Sequence, residues 1–348
     1  MANKLLFSFA LFFSVFTLKA SHNVGGDIQY RYIGDSTGTP HHYEVYLRLY
    51  ASASGNDLGS TADVVASSSC YPDITITCVQ IPGTGPGNGA PGMFDCVSPS
   101  SSTISSFNIY AYKGTAVLPG LCADFKFYWS LYARPPGITN MPLSSSRGFY
   151  IDAELNNYAG NNSSPLFVNV PFRIFCVGNN FNWKHTSLEI DGDSVHYSLI
   201  SCRELMGSSP VDIPFYPGYT ASQPISIDTL GVLSLDTRTG NINFKPSQQE
   251  IDAMSVLIEE YRYDSTFNSY VKIGSSSRDI MIQIAAVCSS TSQQSPSLDF
   301  TNPNIYQDSI TGFATVNVNC NDTGFALDFD TRLDCYSIAE DGSDFFLL

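Results

Sequence analysis

Three carboxylates lie close together near the middle of the chain. Glu189, Asp191 and Asp193 alternate through Gly192, and a run with strand-like alternation follows at 194–199. Alternating carboxylates around a tight glycine turn can converge on Ca²⁺, because a hard cation takes several oxygen ligands. The distal bidentate glutamate of an EF-hand is missing from this spacing, so the alternative is a charged turn that caps a strand. The sequence predicts a Ca²⁺ site at these three carboxylates, with the charged turn as the competing interpretation.

Catalytic motifs are missing from the sequence. It contains neither HExxH nor GxSxG, and neither a P-loop nor a dinucleotide-binding glycine pattern. The carboxylate pair of a glycosidase comes from distant positions, so spacing alone selects no such pair here. We therefore assign no catalytic residue and predict a protein that is not an enzyme.

The charge balance limits the class of partner. The chain has 17 Lys and Arg against 32 Asp and Glu, a net charge of −15, and no basic cluster interrupts this acidity. Nucleic acids and anionic membranes are therefore excluded as favoured partners, and a cation fits better. Charged residues are only 14% of the chain, and 20 Tyr and 23 Phe accompany them, which is typical of β-rich extracellular proteins.

The first residues have the pattern of a secretory signal peptide. Lys4 precedes an apolar run at 5–18, and Ala20 offers a small residue for cleavage before Ser21. The run is shorter than the roughly 20 apolar residues that a membrane-spanning helix needs. No later segment is long and apolar enough to span a bilayer. We expect a secreted or outer-surface protein, cleaved near Ala20, without a transmembrane span.

Nine cysteines agree with export into an oxidising compartment. No CxxC pair and no zinc-ligand spacing occurs, which favours disulfides over metal or redox roles. Connectivity does not follow from sequence, but two pairs each bracket strand–turn material within one unit: Cys176 with Cys202, and Cys320 with Cys335. The odd count leaves one thiol over or one partner outside the chain.

Alternation of apolar and polar residues predicts an all-β protein. Both arms of a first hairpin, 27–33 and 43–50, alternate and so have one buried face. In the strand at 125–131, the alternation of Phe127 and Trp129 favours core filling over a sugar-stacking platform. Further strands are predicted at 74–77, 107–112, 149–155 and 280–287, one helical turn at 248–253, and exposed contacts at Tyr110, Tyr112, Tyr128 and Tyr132.

Length and linkers suggest tandem antiparallel β-sandwich domains. At 348 residues the chain can hold roughly two ordinary domains. The remaining C-terminal part has too few strands to bury a core alone. The predicted division is a signal peptide at 1–20, an N-terminal sandwich at 21–165, a second sandwich at 166–290, a linker at 291–310, and the incomplete start of a third domain at 311–348.

Two segments resemble cadherin-like and related immunoglobulin-like repeats. The run 189–199 is similar to "DxDGDxLxYSL", and 235–242 is similar to "LDxxTGxI", a strand–turn–strand pattern. More widely, an ordered series of segments resembles the Bacteroidetes surface proteins associated with gliding motility, adhesion and type IX secretion. The similar segments are 21–30 (SHNVGGDIQY), 46–50 (YLRLY), 129–131 (WSL), 161–167 (NNSSPLF) and 278–280 (RDI).

The sequence departs from this family at two places. Tyr132 and Ala133 stand where members often have two cysteines, and Glu189 stands for the first Asp of the acidic run. The resemblance implies a non-catalytic adhesin-like rod that presents a binding surface. The alternative is a carbohydrate-binding module of a polysaccharide-processing protein, and an enzyme in its own right is the third possibility. A glycan, a cell surface or a second copy of the chain are the expected partners.

Overall fold

The computed structural model describes residues 23–34, 41–52, 55–85, 107–167, 171, 174–228, 231–266, 268–286, 305–307 and 314–316. They form strands joined by turns, together with one short 3₁₀ helix at Ser144–Ser146. The strands of the first half are β1 (Asn23–Tyr32), β2 (His42–Ser52), β3 (Thr61–Ser67), β4 (Ile74–Gln80), β5 (Phe107–Val117), β6 (Phe125–Tyr132) and β7 (Gly148–Leu155). The all-β prediction is confirmed for the described residues.

The second half is also built of strands. They are β8 (Leu166–Phe167), β9 (Ile174–Cys176), β10 (Phe181–Lys184), β11 (Ser187–Leu188), β12 (Ser194–Ile200), β13 (Arg203–Met206), β14 (Ser209–Asp212), β15 (Ser234–Leu235), β16 (Asn241–Phe244), β17 (Glu250–Asp264), β18 (Ser269–Ala285), β19 (Ile305–Gln307) and β20 (Ala314–Val316). Among the described residues, no helix has the length and apolar character needed to cross a bilayer. The helical turn predicted at 248–253 is wrong, because β17 already begins at Glu250.

Eight strands form a closed hydrogen-bonded ring. Seven of them follow one another in the order β1–β2–β5–β4–β3–β6–β7. Strand β18 closes the ring, since Gly25 of β1 lies opposite Ile280 and Leu155 of β7 lies opposite Gly274. The inward side chains form one apolar core, which includes Ile28, Tyr43, Leu47, Tyr112, Phe127, Trp129 and Ile151. The alternation of these strands is explained by this single interior.

A long hairpin of β17 and β18 carries the second layer. Its pairing runs from Glu250 opposite Ile284 to Asp264 opposite Ser269, with a shift of register between Glu260 and Tyr261. Strand β12 pairs with β17. A separate sheet, β10–β16–β15, packs against the face formed by β12, β17 and β18. The core between them contains Trp183, Tyr197, Ile242, Phe244, Val256, Ile258, Ile280 and Ile282.

The predicted division at residue 165 does not separate two sheets. Strands β1 and β7 belong to the predicted first unit, yet both pair with β18 of the predicted second unit. The two units therefore share one hydrogen-bonded sheet. The predicted signal peptide with Ala20 lies outside the described residues. So do most of the predicted linker and third unit, except that β19 pairs with β20 through Ile305 and Val316.

A buried ion pair holds β1, β2 and β18 together. The Asp27 carboxylate accepts hydrogen bonds from Nε and Nη2 of Arg278 at 3.1 and 3.0 Å, and from Arg48 Nη2 at 3.2 Å. Arg278 is fully buried, and its guanidinium lies 3.9 Å from the centre of the Phe167 ring. Gly26 allows β1 and β2 to lie this close together, because a Cβ there would come within 2.9 Å of the Arg48 carbonyl oxygen.

The disulfides differ from the predicted pairs. Cys70 and Cys122 are bonded, whereas Cys202 is a buried free thiol. Cys176 is disulfide-bonded, and its partner lies outside the described residues. The predicted Cys176–Cys202 pair is therefore wrong. Cys176 ends β9, and Cys202 follows β12. The sheet has the order β9–β18–β17–β12 in this region, so the two strands β18 and β17 lie between the cysteines.

A disulfide requires Cα atoms closer than about 7 Å, and three strand spacings exceed that limit. Cys78 is also a buried free thiol, and burial raises the pKa of this thiol to about 12. Cys320 and Cys335 lie outside the described residues, so their predicted pairing stays a prediction.

The ring closure can be tested through Asp27. We expect Asp27→Asn to lower the free energy of unfolding by about 3 kcal/mol or more, because Arg278 then stays buried with its charge unpaired. Urea unfolding followed by tyrosine and tryptophan fluorescence measures the change. The control is Lys245→Gln, which breaks a pair with Asp228 that is about one-third exposed on each side. That control should change stability by less than about 1 kcal/mol, and an equal loss in both variants would contradict the role of Asp27.

Candidate functional site

The predicted acidic run forms a turn before β12. Glu189 accepts hydrogen bonds on its two carboxylate oxygens from the backbone N–H groups of Asp191 and Asp193, at 3.0 and 2.7 Å. Gly192 has φ +82°, a conformation that favours glycine. The Asp191 carboxylate accepts a hydrogen bond of 2.6 Å from the Ser163 N–H. The turn is therefore closed by its own carboxylates, as the charged-turn interpretation describes.

A fourth carboxyl group, Glu260, changes the composition of this cluster. One carboxylate oxygen from each of Glu189, Asp193 and Glu260 lies within 4.8 Å of the others, and Asp191 does not belong to this set. Glu260 reaches the turn because β12 and β17 pair with Val195 opposite Glu260. Sequence reasoning missed Glu260, since this contact depends on strand pairing across 65 residues. We call Glu189, Asp193 and Glu260 the acidic cluster.

Glu260 is fully buried and only partly hydrogen-bonded. Its Oε2 accepts a hydrogen bond of 3.1 Å from Asn162 Nδ2, while its Oε1 has no partner among the described residues. Burial, together with the negative charges of Glu189 and Asp193, raises the pKa of Glu260 to about 9. The carboxyl group is therefore protonated at neutral pH unless a cation lies beside it.

Arg262 pairs with Asp193, one of the three carboxylates of the acidic cluster. It donates hydrogen bonds to both carboxylate oxygens of Asp193, at 2.8 and 2.6 Å, and this contact raises the pKa of Arg262. Its Nη2 also donates to Asn162 Oδ1 at 3.1 Å. Asn162 therefore links Arg262 to Glu260 and, through a 3.1 Å bond, to the Tyr30 hydroxyl.

A glycine makes room for the buried carboxyl group. Gly274 lies opposite Glu260 across the β17–β18 hairpin. A Cβ at Gly274 would come within 2.3 Å of Glu260 Oε2 and within 2.6 Å of the Tyr30 hydroxyl. No side chain fits there without displacing the carboxyl group, so the position of Glu260 depends on this glycine.

The two sequence motifs contact each other away from the acidic cluster. The predicted strand–turn–strand at 235–242 is confirmed, with Leu235 opposite Ile242. Tyr197 of β12 packs against Gly240 of this turn, where a Cβ would lie 2.7 Å from the tyrosine ring. The Tyr197 N–H also donates to the Thr237 carbonyl oxygen at 2.8 Å. The motifs therefore stabilise the fold where they meet.

A charged cleft of about 380 Å³ opens between the ring and the hairpin. Nine residues line it: Asp152, Glu154, Ile200, Ser201, Arg203, Asp212, Leu257, Lys272 and Ser275. They come from β7, β12, β13, β14, β17 and β18 and from the turn after β12. Five of the nine are charged, so the cleft offers both hydrogen-bond donors and acceptors to a polar ligand. We call it the charged cleft.

Two carboxylates of the charged cleft, Asp152 and Glu154, are paired with cations. Asp152 accepts hydrogen bonds from Arg203 at 3.0 and 2.5 Å. Glu154 forms ion pairs with Lys126 at 3.1 Å and Lys272 at 3.2 Å. Burial acts to raise the pKa of Glu154, but the two lysines outweigh it and lower the pKa. A glycosidase acid needs a raised pKa, so Glu154 is suited to binding and not to proton donation.

The aromatic predictions have mixed outcomes. Trp129 is 8% exposed and lies in the ring core, as predicted. Tyr132 is 71% exposed, which also agrees with the prediction. Tyr110 and Tyr112 are buried, so the expectation that they are surface contacts is wrong. Both lie on the β5 face that points into the ring, and Tyr112 donates its hydroxyl to the Gly59 carbonyl oxygen at 2.8 Å.

A second buried carboxyl group, that of Asp252, provides a test of whether burial keeps a carboxyl group protonated. Asp252 is fully buried, and burial together with nearby Glu250 raises its pKa to about 9. Glu250 itself accepts hydrogen bonds from the Tyr219 hydroxyl and from the Ser226 N–H and hydroxyl, at 2.8, 2.6 and 2.9 Å. The folded state therefore keeps a proton on Asp252 that the unfolded chain loses near pH 4.

We expect Asp252→Asn to gain stability relative to the native protein as pH rises from about 4 to 9. Over that window the native protein binds a proton only when folded, so its stability falls by up to about 1.4 kcal/mol per pH unit. The asparagine has no such proton. Urea unfolding at pH 5 and pH 8 measures the difference, and Asp63→Asn, at an exposed position, is the control. A difference that stays constant with pH would contradict a neutral Asp252.

Comparison of the chain with protein-family models found no match, and comparison with curated proteins likewise found none. The functional conclusion therefore depends on the geometry of the chain itself. Two features carry it: the charged cleft and the acidic cluster.

Proposed function

We propose that this protein is a non-catalytic, secreted or surface-displayed module of the adhesin-like kind. Its layers of the immunoglobulin-like and cadherin-like sandwich type present the charged cleft to a glycan on a cell or substratum. The observation that carries the proposal is the charged cleft, in which five charged side chains surround a space of about 380 Å³. Export after cleavage near Ala20 would place this cleft outside the cell.

The chemistry of the cleft suits a polyhydroxylated ligand. Sugar hydroxyl groups both donate and accept hydrogen bonds, and they are bound well by ionised side chains of fixed geometry. The Arg203 guanidinium is held by Asp152 and lies 5.2 Å from the centre of the Tyr150 ring. Its orientation is therefore set before a ligand arrives. The volume also lies within the range of small-ligand sites in proteins.

The same cleft argues for binding without turnover. A hydrolase needs an acid and a base whose pKa values are pushed apart within reach of the substrate. In the part of the chain that the structure describes, the carboxyl groups whose pKa is raised to about 9 are Asp252 and Glu260, and neither lines the cleft. The carboxylate Glu154, which does line it, has a lowered pKa.

The second candidate function is a carbohydrate-binding module of a polysaccharide-processing protein. It is favoured by the ring of Tyr128, which stacks on the buried Tyr150 with ring centres 5.5 Å apart, while Arg203 of the cleft lies over the Tyr150 ring. Tyr128 is partly exposed. A carbohydrate-binding module would bind soluble polysaccharide as well as surfaces, whereas an adhesin-like module would bind intact cells or coated surfaces in preference.

We expect the double variant Lys272→Gln, Asp212→Asn to weaken retention on a glycan array or on cells by roughly tenfold or more. Each substitution removes an ionic hydrogen-bonding group from the cleft while keeping the shape of the side chain, and such bonds are worth about 1.5–3 kcal/mol each. Both side chains are at least partly exposed, so the fold should survive. Retention is measured by equilibrium binding of labelled protein.

The control is the matched double variant Lys113→Gln, Asp63→Asn, whose charges lie on β5 and β3 away from the cleft. It should bind as the native protein does. Equal weakening in both double variants would show that net charge, and not the cleft, governs retention. Hydrolysis of a polysaccharide that survives purification and is lost in Glu154→Gln would overturn the non-catalytic proposal.

A further inference from the structure

We propose that Glu189, Asp193 and Glu260 form a Ca²⁺ site that joins the turn before β12 to strand β17. The three side chains come from two segments that are 67 residues apart, yet one carboxylate oxygen of each lies within 4.8 Å of the others. This site is independent of the charged cleft and of the function proposed for it.

The free oxygen of Glu260 is the observation that points to a ligand. The side chain is fully buried, and Oε1 accepts no hydrogen bond from any described residue. A buried oxygen without a partner is costly, so proteins rarely keep one unless something else satisfies it. The nearby carboxylates of Glu189 and Asp193 cannot donate a hydrogen bond to it when ionised. A cation held by the three carboxylates can satisfy this oxygen.

The remaining contacts hold the carboxylates in place. Two backbone N–H groups of the turn bind Glu189, and Asn162 Nδ2 binds Glu260 Oε2. Arg262 binds Asp193 and leaves Glu260 Oε1 unpartnered. Each carboxylate oxygen has a second lone pair, so these contacts leave room for a metal–oxygen bond. Such outer contacts are the ones that orient metal ligands in known sites.

The ligand set selects the class of cation. The cluster consists of carboxylate oxygens only, and no His or Cys belongs to it among the described residues. Oxygen ligands suit hard cations, whereas zinc and copper favour nitrogen and sulfur. Ca²⁺ tolerates irregular geometry and completes its shell with water, while Mg²⁺ demands a near-octahedral arrangement. The three carboxylates come from two different elements, a turn and a strand. The irregular geometry that Ca²⁺ tolerates therefore suits them better than the octahedral geometry of Mg²⁺.

The site differs in one ligand from the sequence prediction. Asp191 was the expected third carboxylate, but its Oδ2 accepts the Ser163 N–H, and Asp191 lies exposed at the turn. Glu260 takes its place from the opposite direction. The proposal therefore separates the two arrangements: Asp191 should be dispensable for binding, and Glu260 should be required.

The test is thermal unfolding and titration calorimetry with CaCl₂ on the full chain. Saturating Ca²⁺ should raise Tm by roughly 5 °C over protein in chelator at equal ionic strength, because the ion binds the folded state alone. MgCl₂ at the same concentration should give a smaller rise. Glu260→Gln keeps the shape of the side chain and an oxygen that accepts from Asn162, so it should fold and lose the rise.

Two control variants make the result specific. Glu259→Gln removes a carboxylate one position away on β17, where it pairs with Lys272 at 3.0 Å, and should keep the full rise. Asp191→Asn should keep calorimetric binding within about threefold of the native protein, since Asp191 only adds a nearby charge. Equal Tm in CaCl₂ and chelator, or a rise that persists in Glu260→Gln, would overturn the proposal. Loss of binding in Asp191→Asn alone would overturn the assignment of Glu260.

Discussion

The buried pair of Asp27 and Arg278 is the contact on which the arrangement of both layers depends. The two residues are 251 positions apart, and their hydrogen bonds close the ring where β1 meets β18. Because the guanidinium is fully buried, the carboxylate must stay beside it in the folded state. Hydrophobic burial favours compactness without fixing register, whereas this pair fixes which residues of the two strands face each other.

The β17–β18 hairpin transmits that constraint to the rest of the molecule. Met254, Val256 and Ile258 of one face pack into the second core, while Ser275 and Ser277 of the other face bind the carboxylates of Glu154 and Asp152 on β7. The hairpin therefore has an apolar side and a polar side. The charged cleft opens on the polar side, and the acidic cluster lies where β12 joins the hairpin. Both candidate sites depend on this one element.

The local predictions succeed where side chains alternate over a single buried face. The hairpin at 27–33 and 43–50, the Trp129 strand and the strand–turn–strand at 235–242 appear in the structure as expected. The prediction at 248–253 fails because the side chains buried there are polar. Residues 248–253 lack a β-like apolar alternation, since Glu250 and Asp252 place buried carboxyl groups in a strand. No periodicity of hydrophobic residues reveals such a strand.

The sequence by itself determined the all-β class, several single strands and the acidic turn at 189–193, because these follow from contacts between neighbouring residues. Only the tertiary structure decided which strands pair. Pairing placed Glu260 beside Glu189 and Asp193, kept Cys202 away from Cys176, and united the two predicted units in one sheet. The physical reason is that strand pairing uses backbone groups common to all residues, so its choice of partners depends on long-range packing and buried ion pairs.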